Sequence, residues 1–300
     1  AAAVMTAYNK VNGERCGHHH HLITEVLKGD WGFDGFVMSD FVFGVRSGAA
    51  VAAGQDLEMP FRWRFRSLGR HVRQGTVTAE RVDDAVRRLV RQQVRFADRT
   101  AEPDRPGRYS PAVVASGEHR ALALEVAERS MVLLRNETVL ATGTATTAAA
   151  AAADERAPVL PLDPDRVQSL AVLGGLAAVP VTGDRGSSHV RSRGVVTLLD
   201  GLRLAGERFV INVAHHPGDD LDAARLAAGA ADVAVVVVGY THRDEGENVP
   251  GRGGDRRSLT LHAEDEALIR TAAAANPRTV VVLVGGSAIV TESWREQVGA

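Results

Sequence analysis

Short apolar runs alternate with amphipathic stretches along almost the whole chain, and no other feature constrains the fold as tightly. In the first third, residues 2–7, 36–39 and 56–59 read as strands, and residues 23–28 read as a helix. Residues 64–74 and 78–96 follow as two amphipathic helices separated by Gly75. Thr78 is placed to cap the second, with Arg81-Val82-Asp83 just inside it. Val82, Val86, Leu89, Val90 and Val94 share one face of that helix, which predicts its packing side. In the second half, residues 167–173, 208–213, 233–240 and 279–284 read as strands, and residues 198–204, 221–228 and 263–275 as helices. Asn276-Pro277 ends the last helix, because the residue before a proline is driven out of the helical region. Strands alternating with helices argue for parallel β/α architecture in both halves.

Between the halves, residues 99–117 are polar and carry Pro103, Pro106, Gly107 and Pro111, the composition of a linker. A helix over residues 118–129 and a strand over 130–134 follow. Residues 138–157 are dominated by Ala and Thr and predict a low-complexity surface insertion, with a solvated helix as the alternative. The expected division is a first unit over residues 1–98, a linker over 99–117 and a second α/β unit over 118–300.

The 300 residues are 45% hydrophobic and 24% charged, as in a soluble globular protein. A net charge of -2 gives no electrostatic reason to expect nucleic acid or an anionic membrane as partner. No apolar run approaches the length that spans a bilayer. Cys16 is the single cysteine, which excludes an internal disulfide and says little about compartment. The chain starts at Ala1 without an initiator Met, and the expectation is a piece of a longer protein whose localisation is unreadable.

Asp40 closes the run Gly35-Phe36-Val37-Met38-Ser39-Asp40. A carboxylate at the C-terminal end of a buried parallel strand sits where barrel enzymes keep their chemistry. Asp also favours helix N-caps, so the local run alone leaves both readings open. Met5 and Tyr8 stand at the end of the first strand, where a thioether and an aromatic ring can pack on a sugar or simply fill a core. Tyr240-Thr241-His242-Arg243-Asp244-Glu245-Gly246-Glu247 is a charged cluster that directly follows a strand, and a solvated loop is its plain alternative. His18 to His21 beside Cys16 could ligate zinc, but adjacent residues rarely present a closed tetrahedral set, and an exposed loop is the better reading. Gly183-Asp184-Arg185-Gly186-Ser187-Ser188 lacks the glycine spacing of a phosphate loop, which leaves a nucleotide-binding module as a weak third class. Asp56 and Glu58, near a strand end, read as residues that hold neighbouring loops.

Taken together, Met5-Thr6-Ala7-Tyr8-Asn9, the run from Leu27 through Asp40, and Ala53-Gly54-Gln55-Asp56-Leu57-Glu58-Met59-Pro60 resemble glycoside hydrolase family 3 in its β-glucosidase-like branch. The resemblance continues through Gly75-Thr76-Val77, Asp84-Ala85-Val86-Arg87-Arg88 and Arg129-Ser130-Met131-Val132-Leu133-Leu134-Arg135-Asn136-Glu137. It implies an α/β fold: the C-terminal part of a (β/α)8-type barrel followed by an α/β sandwich domain, with the active site between them. It implies retaining hydrolysis of terminal β-linked sugars, most directly glucose, without a cofactor. It makes Asp40 the nucleophile, and Met5, Tyr8 and Phe41 the wall of the sugar subsite. Phe41 stands where the family has Trp, which keeps an aromatic wall and loses the indole N–H. It makes Glu245 the general acid/base, with Glu247 as rival, and puts Ser187 in a Gly-Ser-Ser loop at the mouth of the site. The implied partner is a small-molecule or oligosaccharide substrate. β-Xylosidase or related exo-glycosidase activity, or a non-catalytic carbohydrate-binding fragment, remain the alternatives. The family's earlier barrel strands and their sugar-holding Lys-His and Arg are absent from this chain, so the chain by itself is expected to be inactive or poorly folded.

Overall fold

The computed structural model describes residues 1–97, 113–137, 158–183, 186–192, 194–247 and 256–300. Most of the expected linker, all of the expected insertion, Asp184-Arg185 and residues 248–255 lie outside these residues. The chain divides into two compact units, Ala1–Val126 and Ala127–Ala300. Among the described residues no helix is long and apolar enough to cross a membrane.

In the first unit, strands β1 (Ala3–Thr6) and β4 (Phe36–Ser39) pair in parallel, with Met5 opposite Met38 and Thr6 opposite Ser39. A small hairpin of β2 (Lys10–Val11) and β3 (Glu14–Arg15) follows β1. The crossover from β1 to β4 carries a π-type helix, His21–Asp30. Residues 56–59 do not form a full strand as expected: Leu57 makes an isolated parallel bridge to Met38. Here the acidic side chains of Asp56 and Glu58 are turned to main-chain N–H groups rather than leaving a regular ladder.

The helix Ala79–Arg95 starts where its cap predicts, with the Thr78 side chain accepting from the Arg81 N–H. Its packing side keeps part of the expected apolar stripe, since Val82 and Leu89 are half-buried. Val86, Val90 and Val94 are exposed, whereas Ala85 and Gln92 are buried. The inward side is fixed instead by two arginines. Arg81 reaches the Val51 carbonyl and Asp56, and Arg88 reaches the carbonyls of Phe33 and Gly35. Guanidinium groups that find several acceptors in a partly buried place hold the helix with Val82 and Leu89 inward and Val86, Val90 and Val94 outward.

The second unit is an open parallel sheet in the order β6-β5-β7-β8. Its strands are β5 (Ser169–Leu173), β6 (Asn212–His216), β7 (Val233–Gly239) and β8 (Thr279–Val284). β7 is buried along its whole length, which is why it is apolar at consecutive positions. Val236 and Val238 pack on one face against Ala224, Ala228, Leu268, Ile269 and Ala272 of two helices. Val235 and Val237 pack on the other with Leu199. Each such valine contributes about 1.5–3 kcal/mol relative to exposure.

Two expectations in this unit are corrected. The strand expected over 208–213 lies at Asn212–His216, because the preceding helix, Leu198–Phe209, runs on from a Thr197/Asp200 capping box to a left-handed cap at Val210. The Ile211 N–H still closes on the Gly206 carbonyl, and the ladder begins with the Asn212 N–H on Gln168. No strand forms over 130–134. The helix Gly117–Ser130 continues through Ser130, and Met131, Val132, Leu133 and Leu134 follow in exposed, irregular chain. That run has the β-branched and apolar composition of a strand, but no sheet edge pairs with it among the described residues.

Candidate active site

Asp40 is delivered by β4 to the C-terminal end of the paired strands, next to Thr6 and Ser39. Ser39 is buried and locks the strand end: its N–H donates to Leu57 O (2.9 Å), and its hydroxyl accepts from the Met59 N–H (2.9 Å). One Asp40 oxygen, Oδ1, accepts from the Phe41 N–H at 2.7 Å. No helix begins at Asp40, so it is not an N-cap; the chain turns back over residues 41–44 instead. In that turn the Phe43 N–H donates to Phe41 O (2.6 Å), Val42 sits at a left-handed φ of 62°, and the Val42 N–H donates to Met59 O (2.9 Å). The Tyr8 hydroxyl donates to the same Phe41 carbonyl at 2.7 Å. Met5, Tyr8 and Phe41 are all exposed at this end, so the first unit brings together Asp40 and the expected subsite side chains.

Beneath them lies an ionic support. The Asp56 carboxylate accepts from Lys28 Nζ (2.8 Å), from the Val37 N–H (2.8 Å) and from Arg81. Burial pushes the Lys28 ammonium down to about 8, and the opposing attraction of Asp56 recovers only part of that shift. Glu58, also buried, accepts from the N–H groups of Arg64 and Phe65 at 2.8–2.9 Å. Both acids hold neighbouring segments, as expected for them. The four histidines are not an open loop: His19 is buried, and His21 sits on Glu25 at 2.6 Å at the start of the helix.

In the second unit the charged cluster follows β7 as the short helix His242–Glu245, capped by Thr241 and Asp244. Burial raises the Asp244 carboxyl, but the N–H and hydroxyl of Thr241, with His262, outweigh it and hold the group below the usual range. Glu245 is held on several sides. Arg256 Nε lies 2.9 Å from Oε1, Ser287 Oγ donates to Oε1 (3.0 Å), and the Gly286 N–H donates to Oε2 (2.6 Å). Arg256 is itself buried and lies 4.1 Å from the Tyr240 ring centroid. Glu247 instead binds Ser187, whose hydroxyl donates at 2.7 and 2.9 Å and whose N–H also donates. Ser187 and the two glutamates therefore gather outside the C-terminal ends of the strands, where open parallel sheets hold ligands. Gly286 and Ser287 belong to no motif singled out above; the pair Gly285-Gly286 at the end of β8 is the signal the sequence carries for them.

Residues 1–92 match the family model described as the glycosyl hydrolase family 3 N terminal domain, and residues 131–300 match its C-terminal domain. An exo-alpha-(1->6)-L-arabinopyranosidase of Bifidobacterium longum is 31% identical over 308 residues, covering 97% of this chain and 36% of that protein. The thermostable beta-glucosidase B of Acetivibrio thermocellus is 30% identical over 298 residues, covering 95% of this chain and 35% of that protein. The crystal structure of a Bifidobacterium adolescentis GH3 beta-glucosidase superposes with a TM-score of 0.75 at 27% identity, over 99% of this chain and 40% of that one. The chain thus spans little more than a third of the length of these curated relatives. With matching models in both units, the chain belongs to glycosyl hydrolase family 3.

Proposed function

We propose that this chain carries the two catalytic carboxyls of a retaining exo-β-glycosidase acting on terminal β-linked glucose. The observation that carries the reading is Asp40 itself: a carboxylate at a parallel strand end, oriented through Oδ1 by the Phe41 N–H and flanked by the exposed Met5, Tyr8 and Phe41. Retaining hydrolysis needs a nucleophile and a proton donor about 5 Å apart across the scissile bond. Asp40 attacks the anomeric carbon and forms a glycosyl ester as the C–O bond to the leaving group breaks. Glu245 gives its proton to the departing oxygen, then takes one from the water that cleaves the ester. Glu247, bound to Ser187, is the rival donor, because Arg256 and Gly286 already engage both Glu245 oxygens. Ser187 would meet the substrate through the hydroxyl that now reaches Glu247. We read the first unit as the C-terminal part of a (β/α)8-type barrel, supported by two parallel strands, a bridge at Leu57 and the helices that follow. The second unit is read as part of an α/β sandwich domain.

A pentose-releasing activity is the second reading, favoured by the arabinopyranosidase relative being as similar as the glucosidase one. The relatives are nearly three times longer, so activity is best measured on a chimera in which this chain replaces the matching segment of the A. thermocellus protein. Trapping that chimera with 2-fluoro-glucoside and 2-fluoro-arabinopyranoside, then mapping the labelled peptide, tests the assignment. A label on any residue but Asp40 overturns it, and the faster-trapping sugar decides between the readings. The 300-residue chain alone is expected to leave nitrophenyl glucoside intact.

A further inference from the structure

We propose that residues 61–66 recognise the leaving-group portion of the substrate, and that this portion is a ring bearing a carboxylate. The proposal rests on the glycosidase reading of Asp40. The loop leaves the same strand end as Asp40: Leu57 O accepts from Ser39, and Met59 O accepts from Val42, so residues 57–59 run beside residues 39–42. It then forms a fixed platform. The buried Glu58 carboxylate binds the N–H groups of Arg64 and Phe65, the Trp63 N–H donates to Phe61 O (2.9 Å), and Arg64 O accepts from Ser67 (2.8 Å from Oγ). The Phe61 and Trp63 rings stack with centroids 5.3 Å apart and planes inclined by 27°. Both remain largely exposed, at 56% and 49%, although burying such rings is among the most favourable steps open to a chain. Exposed paired aromatics on a fixed loop mark a surface that meets a ring.

The sequence around them supplies the second half of the argument. Phe61-Arg62-Trp63-Arg64-Phe65-Arg66 alternates aromatic residues with arginines. Arg62, Arg64 and Arg66 are exposed, and none forms an ion pair among the described residues. Residues 57–67 contain one acid, Glu58, and its oxygens are occupied by main-chain N–H groups. Arg46, on the turn that follows Asp40, adds a further cation 5.9 Å from the Phe43 ring. A chain of net charge -2 thus concentrates unpaired guanidinium groups on the loop that leaves the strand end carrying Asp40. Guanidinium is the side-chain group best matched to a carboxylate, and the aromatic faces take the ring that carries it. Such a ring could belong to a uronic acid or to a carboxyphenyl aglycone.

The chimera carrying Asp40→Asn, which leaves the ligands intact, is titrated calorimetrically against two matched pairs: 4-carboxyphenyl and phenyl β-glucoside, and glucosyl-β-1,4-glucuronic acid and cellobiose. In at least one pair the charged member is expected to bind about ten-fold tighter at low salt, with the ratio falling toward one at high salt. The pair that shows the preference names the source. The variant R62S/R64S/R66S, changed only at exposed positions, is expected to abolish it while keeping the parent's circular dichroism. Equal affinity within both pairs, a preference that survives the triple variant, or no saturable binding of either charged ligand overturns the proposal. A preference without 2-fluoro-glycoside labelling of Asp40 would sink the glycosidase reading and leave the loop's carboxylate recognition standing; labelling without a preference would do the reverse.

Discussion

The hydroxyl of Tyr8 donates a 2.7 Å hydrogen bond to the main-chain carbonyl of Phe41, tying the segment after β1 to the residue that follows Asp40. The same carbonyl accepts from the Phe43 N–H, across a turn whose central residue, Val42, holds a φ of 62°. A β-branched residue enters the left-handed region only when its surroundings impose it. Tyr8 and the Met59 carbonyl are the imposing contacts. Removing the Tyr8 hydroxyl while keeping its ring should therefore loosen Asp40 without emptying the subsite. Tyr8→Phe is expected to lower kcat of the chimera about ten-fold with KM little changed, and to cost about 1 kcal/mol of stability. Unchanged kcat would show that the hydroxyl does not position Asp40.

Lys28 offers a test by pH. Its folded-state value of about 8 lies below the ordinary 10.5, mainly through burial, with Asp56 opposing. The unfolded chain therefore holds the proton more tightly, and binds more protons between pH 8 and 10.5. Stability then rises with pH across that window; the penalty is complete below 8 and gone above 10.5. Urea unfolding of the parent chain and of Lys28→Met at pH 7, 9 and 10.5 checks this. The parent is expected to gain relative to the variant as pH rises, and a constant or falling difference contradicts it.

The parts of the fold that were legible in the sequence are those fixed by local chemistry. β7 and β8 were readable because strands buried on both faces are apolar at consecutive positions, and the helix Ala79–Arg95 because Thr78 caps it. What was illegible depends on partners distant in the chain. The rotation of that helix is set by Arg81 and Arg88 reaching acceptors near residues 33–56, which no periodicity within the helix reveals. Lys28 and Asp56 lie 28 positions apart, and their pairing leaves no pattern in either neighbourhood. Asp40 was legible as a strand-end carboxylate. The Arg256, Gly286 and Ser287 contacts around Glu245 were not, since three separate segments converge on it.

Glu58 should govern the order of residues 61–66. Its carboxylate is buried and accepts from two main-chain N–H groups at 2.8–2.9 Å. Glu58→Gln turns one acceptor into a donor that faces those groups, a mismatch of about 1–3 kcal/mol. Amide exchange at Arg64 and Phe65 is expected to accelerate about ten- to hundred-fold, with exchange in β7 unchanged. Equal protection in both proteins would mean that the loop is held by something other than Glu58.

The choice between Glu245 and Glu247 is open to chemical rescue. Glu245→Ala leaves the buried Arg256 without its carboxylate, so this variant is expected to lose about 3–5 kcal/mol of stability as well as activity. Glu247→Ala strands only the exposed Ser187 contacts and should cost less than 1 kcal/mol. In the chimera, with an activated aryl glycoside, azide is expected to restore turnover to the Glu245 variant and yield the glycosyl azide. Azide rescue of the Glu247 variant instead would move the acid/base role to that residue.

Gly239 is where β7 hands the chain to Tyr240 and the helix that bears Glu245. It pairs with Val284 at a φ of 138°, and a Cβ there would run into the Val284 carbonyl. That carbonyl also accepts from the Tyr240 N–H at 2.8 Å, so it cannot retreat without breaking the last rung between β7 and β8. Gly239→Ala thus meets two penalties, an unfavourable backbone conformation of about 1–2 kcal/mol and overpacking of about 1–3 kcal/mol. Gly13 is the matched control: its φ is 86°, and nothing lies within 4 Å of a Cβ built there, so Gly13→Ala meets only the first penalty. Thermal unfolding of the two variants separates these effects. Gly239→Ala is expected to lower the melting temperature by at least twice as much as Gly13→Ala, and equal shifts would show that the β7–β8 junction yields without cost.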